Sequence, residues 1–173
     1  MTEEQFANCI DLMLAGNREG LQQVYQIYGK YIYIILYDIL KNKEDAEDVT
    51  TEFFLKLWNV AEKYQAGDGH RAWMGRIAHN MAIDFLRKKK IHISYEDMEE
   101  EEIGDKNFES DTVNKMAVEQ AIKTLKREEQ EIVNMKILLQ MTFQEIADTL
   151  GKPLGTVTWQ YRQAMEKLRR CEL

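Results

Sequence analysis

The feature that most constrains this chain is an acidic segment that separates two nearly neutral blocks. Residues 91–113 contain nine Asp or Glu and one Lys, a net charge of −8, whereas residues 1–90 carry −1 and residues 114–173 carry +2. Repulsion among the carboxylates and a shortage of apolar side chains disfavour a packed structure in this segment. The sequence therefore predicts two modules, residues 1–90 and 114–173, joined by an acidic flexible linker at 91–113.

Both blocks have the pattern of helical modules. The 173 residues include one Pro and nine Gly, too few turn formers for a β-rich fold, and 45% are hydrophobic, enough for a packed core. Apolar residues recur at steps of three and four, for example Ala46, Val49 and Phe53. Tyr31–Leu40 is rich in β-branched and aromatic residues, but no partner strand is evident nearby, so we assign it to a helix as well. The predicted fold class is all-α, with two small helical domains.

Several function classes are disfavoured by what the sequence lacks. Its longest apolar run, Tyr31–Tyr37, has seven residues, so we expect no membrane insertion. The acidic N-terminus does not look like a secretory signal, and we expect a cytoplasmic protein. Cys9, Cys171 and the three histidines have no metal-ligand spacing, so no metal or other cofactor is expected. With no phosphate loop or nucleophile motif, an enzyme with a small-molecule substrate is the weakest interpretation.

A helix-turn-helix pattern lies near the C-terminus. Thr142 and Glu145 have the spacing of a capping box, which predicts a helix start. Ala147 allows two helices to approach closely, Gly151 suits the turn between them, and Val157 packs the second helix inward. Taken alone, this pattern leaves DNA binding and a helical bundle that touches no nucleic acid about equally open.

Three segments together resemble a known family. Thr142–Arg170 resembles the C-terminal DNA-binding domain of bacterial sigma factors, and Asp45–Trp58 resembles the segment with which those factors bind core RNA polymerase. Arg71–Lys90 is similar to their promoter-melting segment. The three motifs stand in the family's order around an acidic linker, without room for the middle domain of larger sigma factors. The resemblance is to the extracytoplasmic-function (ECF) group and covers residues 10–171.

This resemblance implies a function and a set of partners. The chain would be a bacterial alternative sigma factor that binds core RNA polymerase and directs promoter recognition and transcription initiation. Its implied partners are core RNA polymerase, promoter DNA and an anti-sigma factor that controls it. The main rival is a stand-alone helix-turn-helix regulator that binds duplex DNA as a dimer. A scaffold that keeps only the fold is a third possibility. A second basic segment with a base-capturing loop distinguishes the sigma factor from a simple repressor.

The candidate polymerase contacts are carboxylates on the polar side of the helix that contains Ala46 and Val49. A solvated surface is the usual role of such charges. The resemblance implies instead a patch that pairs with basic residues of the polymerase, where interfacial charges mainly set orientation and association rate. The predicted polymerase-binding residues are Asp45, Glu47, Asp48 and Glu52.

The candidate DNA contacts of the first module lie on one helical face and in the loop before it. Arg and Lys suit phosphates, and Asn can read a base edge, although an ordinary basic surface would look the same. Asp84 lies near this face, and we expect it to form an ion pair or a cap. The resemblance implies that the loop Tyr64–His70 captures a flipped base. The predicted DNA-binding residues here are Tyr64, His70, Arg76, Asn80, Arg87 and Lys88.

In the second module, the polar side of the last helix is predicted to enter the major groove of an upstream promoter element. Sigma factors of this group commonly carry Lys or Arg where Thr158, Gln160 and Gln163 stand, so we expect fewer phosphate contacts and a shallower salt dependence. Trp159 could stack on DNA, dock a partner protein or fold back onto its own domain. The predicted contacts are Thr156, Thr158, Trp159, Gln160, Arg162 and Gln163.

Overall fold

Seven α-helices and one short 3₁₀ turn form the described part of the chain, which holds no β-strand. The computed structural model describes residues 1–67, 69–93 and 124–171. The predicted all-α class is confirmed by this architecture. Most of the predicted acidic linker lies outside the described residues. Val118 and Ile122, whose spacing with Leu125 predicts a helix, lie outside them as well.

The N-terminal module contains four of the helices, and the C-terminal module contains three. The last helix of the N-terminal module continues to Ile93, three residues beyond the predicted end of that module at residue 90. The helices are α1 (Glu3–Leu14), α2 (Glu19–Leu40), α3 (Lys43–Asn59), α4 (His70–Ile93), α5 (Arg127–Leu138), α6 (Phe143–Leu150) and α7 (Leu154–Cys171), with the 3₁₀ turn at Ala61–Lys63.

Helix α2 lies at the centre of the N-terminal module, where it packs against α1, α3 and α4. The helical assignment of Tyr31–Leu40 is confirmed, because Ile32, Ile35 and Ile39 are all buried at helical spacing. Their bulk fills the centre of the bundle, which offsets the modest helix propensity of β-branched residues. Ile27 fits the helical spacing of the buried Val24 and Tyr28, but it is exposed because it lies at the edge of the buried face.

The C-terminal module has the predicted helix-turn-helix geometry. The Thr142 hydroxyl accepts from the amide of Glu145 at 3.2 Å, and the Glu145 carboxylate accepts from the amide of Thr142 at 2.6 Å. Gly151 ends α6 with φ of +61°, a conformation that glycine adopts without strain. Ala147 and Val157 are buried between α6 and α7. The capping box, the turn and the inward valine are therefore confirmed.

The two modules pack directly against each other. Helix α5 lies against α2, and α6 lies against α4. A single apolar cluster contains Ile32 and Met74 of the first module together with Leu139, Met141 and Ile146 of the second. A small separate cluster inside the second module holds Leu125, Val133 and Ala164. The two modules of the described chain therefore share one apolar core.

Candidate functional site

The predicted polymerase-binding carboxylates form an acidic surface along α3, composed of Asp45, Glu47, Asp48 and Glu52. The Asn42 side chain accepts from the amide of Asp45 at 3.0 Å and starts the helix there. Asp48 and Glu52 lie one turn apart, both exposed, and neither has a salt bridge to another described residue. Two acids on the same exposed face create a concentrated negative charge that faces solvent.

The other two acids of this surface already have cationic partners. Asp45 pairs with Lys89 of α4 at 2.7 Å, and Glu47 pairs with Lys43 at 3.8 Å on the exposed side of α3. The Asp45–Lys89 pair joins the start of α3 to the basic end of α4. Exposed pairs of this kind contribute little to stability, so they can exchange for an intermolecular partner at small cost.

A groove between α3 and α4 adjoins the acidic surface and contains an apolar residue that the sequence analysis missed. Its volume is about 820 Å³, and its lining includes Glu52, Leu55, Phe85 and Lys88. Leu55 is 60% exposed although it lies on a helix with a well-formed buried face. The signal was available in the sequence, because Leu55 falls outside the stripe of Ala46, Val49 and Phe53. Acids beside an exposed apolar side chain are suited to protein binding.

Helix α4 displays the predicted basic face, composed of Arg76, Asn80 and Arg87. The helix is continuous through all three residues, so they share one side of it. Asn80 and Arg87 are exposed, and Arg76 is half-buried. Asp84 pairs with Arg87 at 3.0 Å, as the sequence analysis expected. Lys88 does not share this face and instead lines the groove toward α3.

The loop before α4 is held by a carboxylate from the N-terminus of the chain. Glu3 accepts from the Tyr64 hydroxyl at 2.6 Å, and from the backbone amide of His70 at 3.0 Å. The His70 ring lies 2.5 Å from the same carboxylate through Nδ1 and 2.6 Å from the Tyr28 hydroxyl through Nε2. Phe6 stacks on His70, with ring centroids 4.7 Å apart. This network, the Glu3 cluster, joins α1, α2 and the loop.

The Glu3 cluster changes how the two predicted base-stacking residues are presented. His70 is only 3% exposed, and Tyr64 is half-buried with its ring against Phe6 and Trp73. Neither ring is free to stack on a base in this conformation, so their proposed role requires the loop to move. No local pattern predicts this arrangement, because Glu3 is 61 residues from Tyr64 and 67 from His70.

Burial and hydrogen bonding set the protonation states in the Glu3 cluster. Burial lowers the pKa of His70, and the neighbouring Arg71 adds to this effect, while hydrogen bonding to Glu3 opposes it. A neutral ring that donates from Nδ1 to Glu3 and accepts at Nε2 from Tyr28 satisfies both contacts. Burial alone would raise the pKa of Glu3, but hydrogen bonds from Tyr64 and His70 together outweigh it, and the pKa of this carboxyl is lowered.

The predicted major-groove residues of α7 divide into an exposed set and an internally bonded set. Thr156, Trp159 and Arg162 are exposed, while Thr158 and Gln163 are half-buried. The Gln160 amide donates to Glu128 of α5 at 2.7 Å, so this predicted base reader is engaged inside its own module. Helix α7 is also tied to α5 by the Lys167 ammonium, 2.7 Å from the Glu129 carboxylate. The rigid module therefore presents Thr156, Trp159 and Arg162 most directly.

Trp159 is a large exposed side chain on this face. Its indole is 59% exposed, so it does not fold back onto the described part of its own domain. Stacking on DNA and docking a partner protein are the two roles that this position leaves open. Trp159 and Arg162 lie near each other on α7, the second helix of the helix-turn-helix. An aromatic ring beside a guanidinium is suited to binding nucleic acid.

Among the described residues, no group of three or more His, Cys, Asp or Glu could hold a metal ion. Cys9 is buried, with its thiol 3.5 Å from the Gln23 side chain, and burial raises the pKa of that thiol. None of the helices over residues 1–67, 69–93 and 124–171 has the length and apolar character that crossing a membrane requires. The fold and surfaces define a helix-turn-helix protein with a second helical module.

Comparisons with known proteins identify the family. Residues 24–91 match sigma-70 region 2, and residues 115–168 match sigma-70 region 4. The chain is 26% identical over 168 residues to the ECF RNA polymerase sigma factor SigW of Bacillus subtilis, covering 90% of each chain. It is 26% identical to the ECF sigma factor BldN of Streptomyces coelicolor, with 86% of this chain aligned to 59% of that protein.

Solved structures share the fold at lower identity. The sigma factor RpoE, in complex with the anti-sigma factor NepR from Bartonella quintana, gives a TM-score of 0.69 at 15% identity, covering 89% of this chain and 96% of RpoE. CnrH, in complex with the cytosolic domain of CnrY, gives a TM-score of 0.62 at 17% identity, covering 96% of each chain. The chain belongs to the sigma-70 family of RNA polymerase sigma factors, in its ECF group, and is a transcription initiation factor.

Proposed function

We propose that this protein directs core RNA polymerase to promoters by using α3 for the polymerase and α4 and α7 for the two promoter elements. The observation that carries the proposal is the order of the two family regions, sigma-70 region 2 at 24–91 and region 4 at 115–168, in one chain. A stand-alone repressor has no use for the first region. The working units would be residues 1–90 and 114–173, joined through 91–113.

The acidic surface of α3 is the proposed polymerase site. Asp48 and Glu52 are exposed and have no described ion-pair partner, so they can pair with basic residues of the polymerase without first breaking an internal contact. Leu55, exposed in the adjoining groove, supplies the apolar contact that charges alone do not provide. Asp45 and Glu47 would contribute by giving up their ion pairs with Lys89 and Lys43 and pairing with cations of the polymerase instead.

The DNA-binding roles follow from the two basic helices. Arg76, Asn80 and Arg87 would contact the opened promoter strand near the start site, and Thr156, Trp159 and Arg162 would enter the major groove upstream. Of the three α7 residues only Arg162 is a cation, so base contacts and stacking would carry more of the upstream recognition than phosphate contacts. Catalysis has no part in this function. A protein that works on core polymerase and the bacterial chromosome works in the cytoplasm.

An anti-sigma factor is the proposed regulator. RpoE and CnrH, which share this fold, were solved in complex with the anti-sigma factor NepR and the cytosolic domain of CnrY. On this chain, the acidic surface and its groove offer an anti-sigma factor exposed carboxylates beside the exposed Leu55. A protein bound there would block polymerase directly.

Promoter-dependent transcription tests the proposal. Bacterial core polymerase, the full chain and a pool of genomic fragments should give transcripts that share upstream sequences. Asp48→Ala should weaken the apparent affinity for core about threefold to tenfold, as expected for an exposed interfacial charge. Asp11→Ala, which removes an exposed acid from α1, is the matched control and should leave the affinity unchanged.

The upstream contact has its own readout in the same assay. Arg162→Ala should reduce promoter binding by the holoenzyme and lower the slope of log affinity against log salt by about 1, the value for one lost phosphate contact. Arg18→Ala is the matched control, because it removes an exposed cation at the start of α2, away from the upstream contact. If neither transcripts nor a complex with core form, while the protein alone binds duplex DNA tightly, the stand-alone regulator replaces the sigma factor.

A further inference from the structure

The N-terminal half of α7 presents a mostly apolar surface to solvent. The side chain of Trp159 is 59% exposed, and that of Leu154 is 43% exposed. Gly155 lies one turn before Trp159, and no side chain or neighbouring element would come within 4 Å of a Cβ atom built there. The indole is therefore uncovered on this side. The exposed residues over positions 154–162 are Leu154, Gly155, Thr156, Trp159 and Arg162.

Two polar side chains between these exposed residues are bonded inside the module. The Thr158 hydroxyl donates to the backbone carbonyls of Leu154 and Gly155, which lie 3.1 and 3.0 Å away. The Gln160 side chain donates from Nε2 to Glu128 at 2.7 Å, and its Oε1 atom is buried. Neither Thr158 nor Gln160 can bond a base edge without first breaking an internal contact.

Arg162 is the one charged residue among the exposed residues over positions 154–162. It follows Trp159 by three residues, so the two side chains share one side of the helix. Three residues of an α-helix rise about 4.5 Å, and neighbouring base pairs of a duplex are about 3.4 Å apart. Side chains with this spacing reach base pairs that are neighbours or nearly so. A guanidinium there suits guanine O6 and N7.

The chemistry of the major groove decides what the indole of Trp159 can contact. Residues near the start of a recognition helix meet base edges, and these edges carry hydrogen-bond donors and acceptors together with one apolar group, the C5-methyl of thymine. An indole has a single donor, Nε1–H, and no acceptor, so nearly all of its surface is apolar. The group in the groove that complements this surface is the thymine methyl.

Other contacts with DNA suit Trp159 less well. Phosphates are bound by cations, hydroxyls and amides, and an indole offers them one N–H. Aromatic stacking on bases requires unpaired strands, whereas a helix-turn-helix reads a duplex. A methyl group packed against the ring satisfies both partners, because each loses apolar surface to water and neither leaves a polar group unpaired.

We infer that Trp159 is a specificity-determining residue that packs on the C5-methyl of a thymine in the upstream promoter element. The chain then selects sites with a T·A pair next to the base pair that Arg162 contacts. This inference rests on the proposed function, because it requires α7 to enter duplex promoter DNA. It goes further in naming the chemical group that is read.

Exchange of thymine for deoxyuridine tests the contact. Uracil keeps the O4 acceptor and the pairing of thymine but lacks the C5-methyl. The probes are duplex fragments of a promoter found in the transcription assay, with each thymine of the upstream element replaced in turn. Wild-type holoenzyme should bind one of these fragments about fourfold more weakly, the value for one buried methyl group. Replacement of a thymine outside the upstream element should change nothing.

Variants of Trp159 assign the effect to its ring. Trp159→Ala should bind the thymine and deoxyuridine fragments with equal affinity, because the partner of the methyl group is gone. Trp159→Phe keeps an apolar ring and should retain part of the preference. The side chain is exposed, so neither change should alter the circular dichroism of the free protein. Tyr25→Ala, which removes an exposed ring from α2, is the matched control and should keep the full preference.

The possible outcomes separate this inference from the proposed function. A preference for thymine that Trp159→Ala abolishes and Trp159→Phe partly retains supports the inference. Equal binding of all fragments by the wild type, or a preference that survives in Trp159→Ala, overturns it. Equal weakening of both fragments by Trp159→Ala would assign the ring to the DNA backbone, and weakening of core binding alone would assign it to a protein contact. Both results also overturn the inference.

Failure of the proposed function has a different signature. If the wild-type chain gives no transcripts with core polymerase, the proposed function is overturned, and this inference is overturned with it. If transcripts form and their shared upstream sequences contain no thymine on either strand, the proposed function stands and the reading of a methyl group is overturned.

Discussion

At the scale of single residues, Glu3 has the largest set of long-range partners in the Glu3 cluster. Its one carboxylate bonds the Tyr64 hydroxyl, the amide of His70 and the His70 ring. By accepting from the first amide of α4, it caps a helix from a distant part of the chain. Glu3 precedes the segment that matches region 2, which begins at residue 24. The restraint on the loop therefore comes from outside the matched family region.

Removing the Glu3 carboxylate should destabilise the N-terminal module. Glu3→Gln weakens hydrogen bonds that involve a charged acceptor, and because the side chain is partly exposed we expect a loss of about 1–2 kcal/mol in the free energy of unfolding. Urea denaturation followed by circular dichroism measures it. Glu4→Gln, a neighbouring exposed acid with the same change in charge, should lie within about 0.5 kcal/mol of wild type.

The same cluster predicts loss of stability toward acid. The folded-state pKa of His70 is depressed below 6.5, so the unfolded chain binds a proton first and stability falls as pH drops through that value. The pKa of Glu3 is also depressed, so its contribution is lost at lower pH, as the folded carboxyl protonates. Stability measured from pH 7.5 to 5 should decline for wild type and more steeply for Glu3→Gln, because the Glu3 carboxylate opposes the lowering of the His70 pKa. Equal slopes would contradict the assignment.

At the scale of helices, the sequence was sufficient wherever the deciding contacts are local. The capping box of Thr142 and Glu145 spans three residues, and the turn at Gly151 depends on its own φ, so both could be predicted from composition and spacing. Whether a residue at the edge of a helix's apolar face is buried depends on contacts with segments distant in the sequence. The periodicity of apolar residues does not reveal those contacts. Leu14 and Ile137 have the spacing of an apolar stripe, but both are exposed. Leu55 is also exposed, next to the α3 carboxylates that were predicted from the sequence.

Two glycines in the C-terminal module should respond in opposite ways to alanine. Gly151 has φ of +61° and open space around its ideal Cβ, so Gly151→Ala costs backbone strain alone, about 1 kcal/mol. Gly155 lies in the first turn of α7, also with open space, and Gly155→Ala should stabilise the helix by up to about 1 kcal/mol. Denaturant unfolding of the full-length variants checks both. Similar changes in the free energy of unfolding for the two variants would rule out a left-handed conformation at Gly151.

At the scale of the whole molecule, the acidic linker indicated two modules, and nothing in the pattern predicted that they dock. Arg127 is 88 residues from Ile39, and Asn134 is 96 residues from Asp38. The polar side chains of Arg127, Asn134 and Asp38 each suit an exposed helix, so no local signal marks the pairing. Gly75, over which Leu139 and Met141 lie, was the nearest to a signal, because a glycine inside a long helix commonly marks a close approach of another element.

The shared core predicts how the molecule unfolds. Its main apolar cluster includes residues of both modules, whereas the cluster confined to the C-terminal module holds, within the part of the chain that the structure describes, Leu125, Val133 and Ala164 with two partly buried neighbours. The C-terminal module therefore draws much of its stability from docking, and calorimetry of the full chain should show one cooperative transition. Asn134→Asp should separate an earlier transition of the C-terminal module, lowered by about 4–8 °C for each kcal/mol of lost interface energy. Asn80→Asp, the same change at an exposed position of α4, should retain a single transition, and a single unshifted transition in Asn134→Asp would mean that the modules do not stabilise each other.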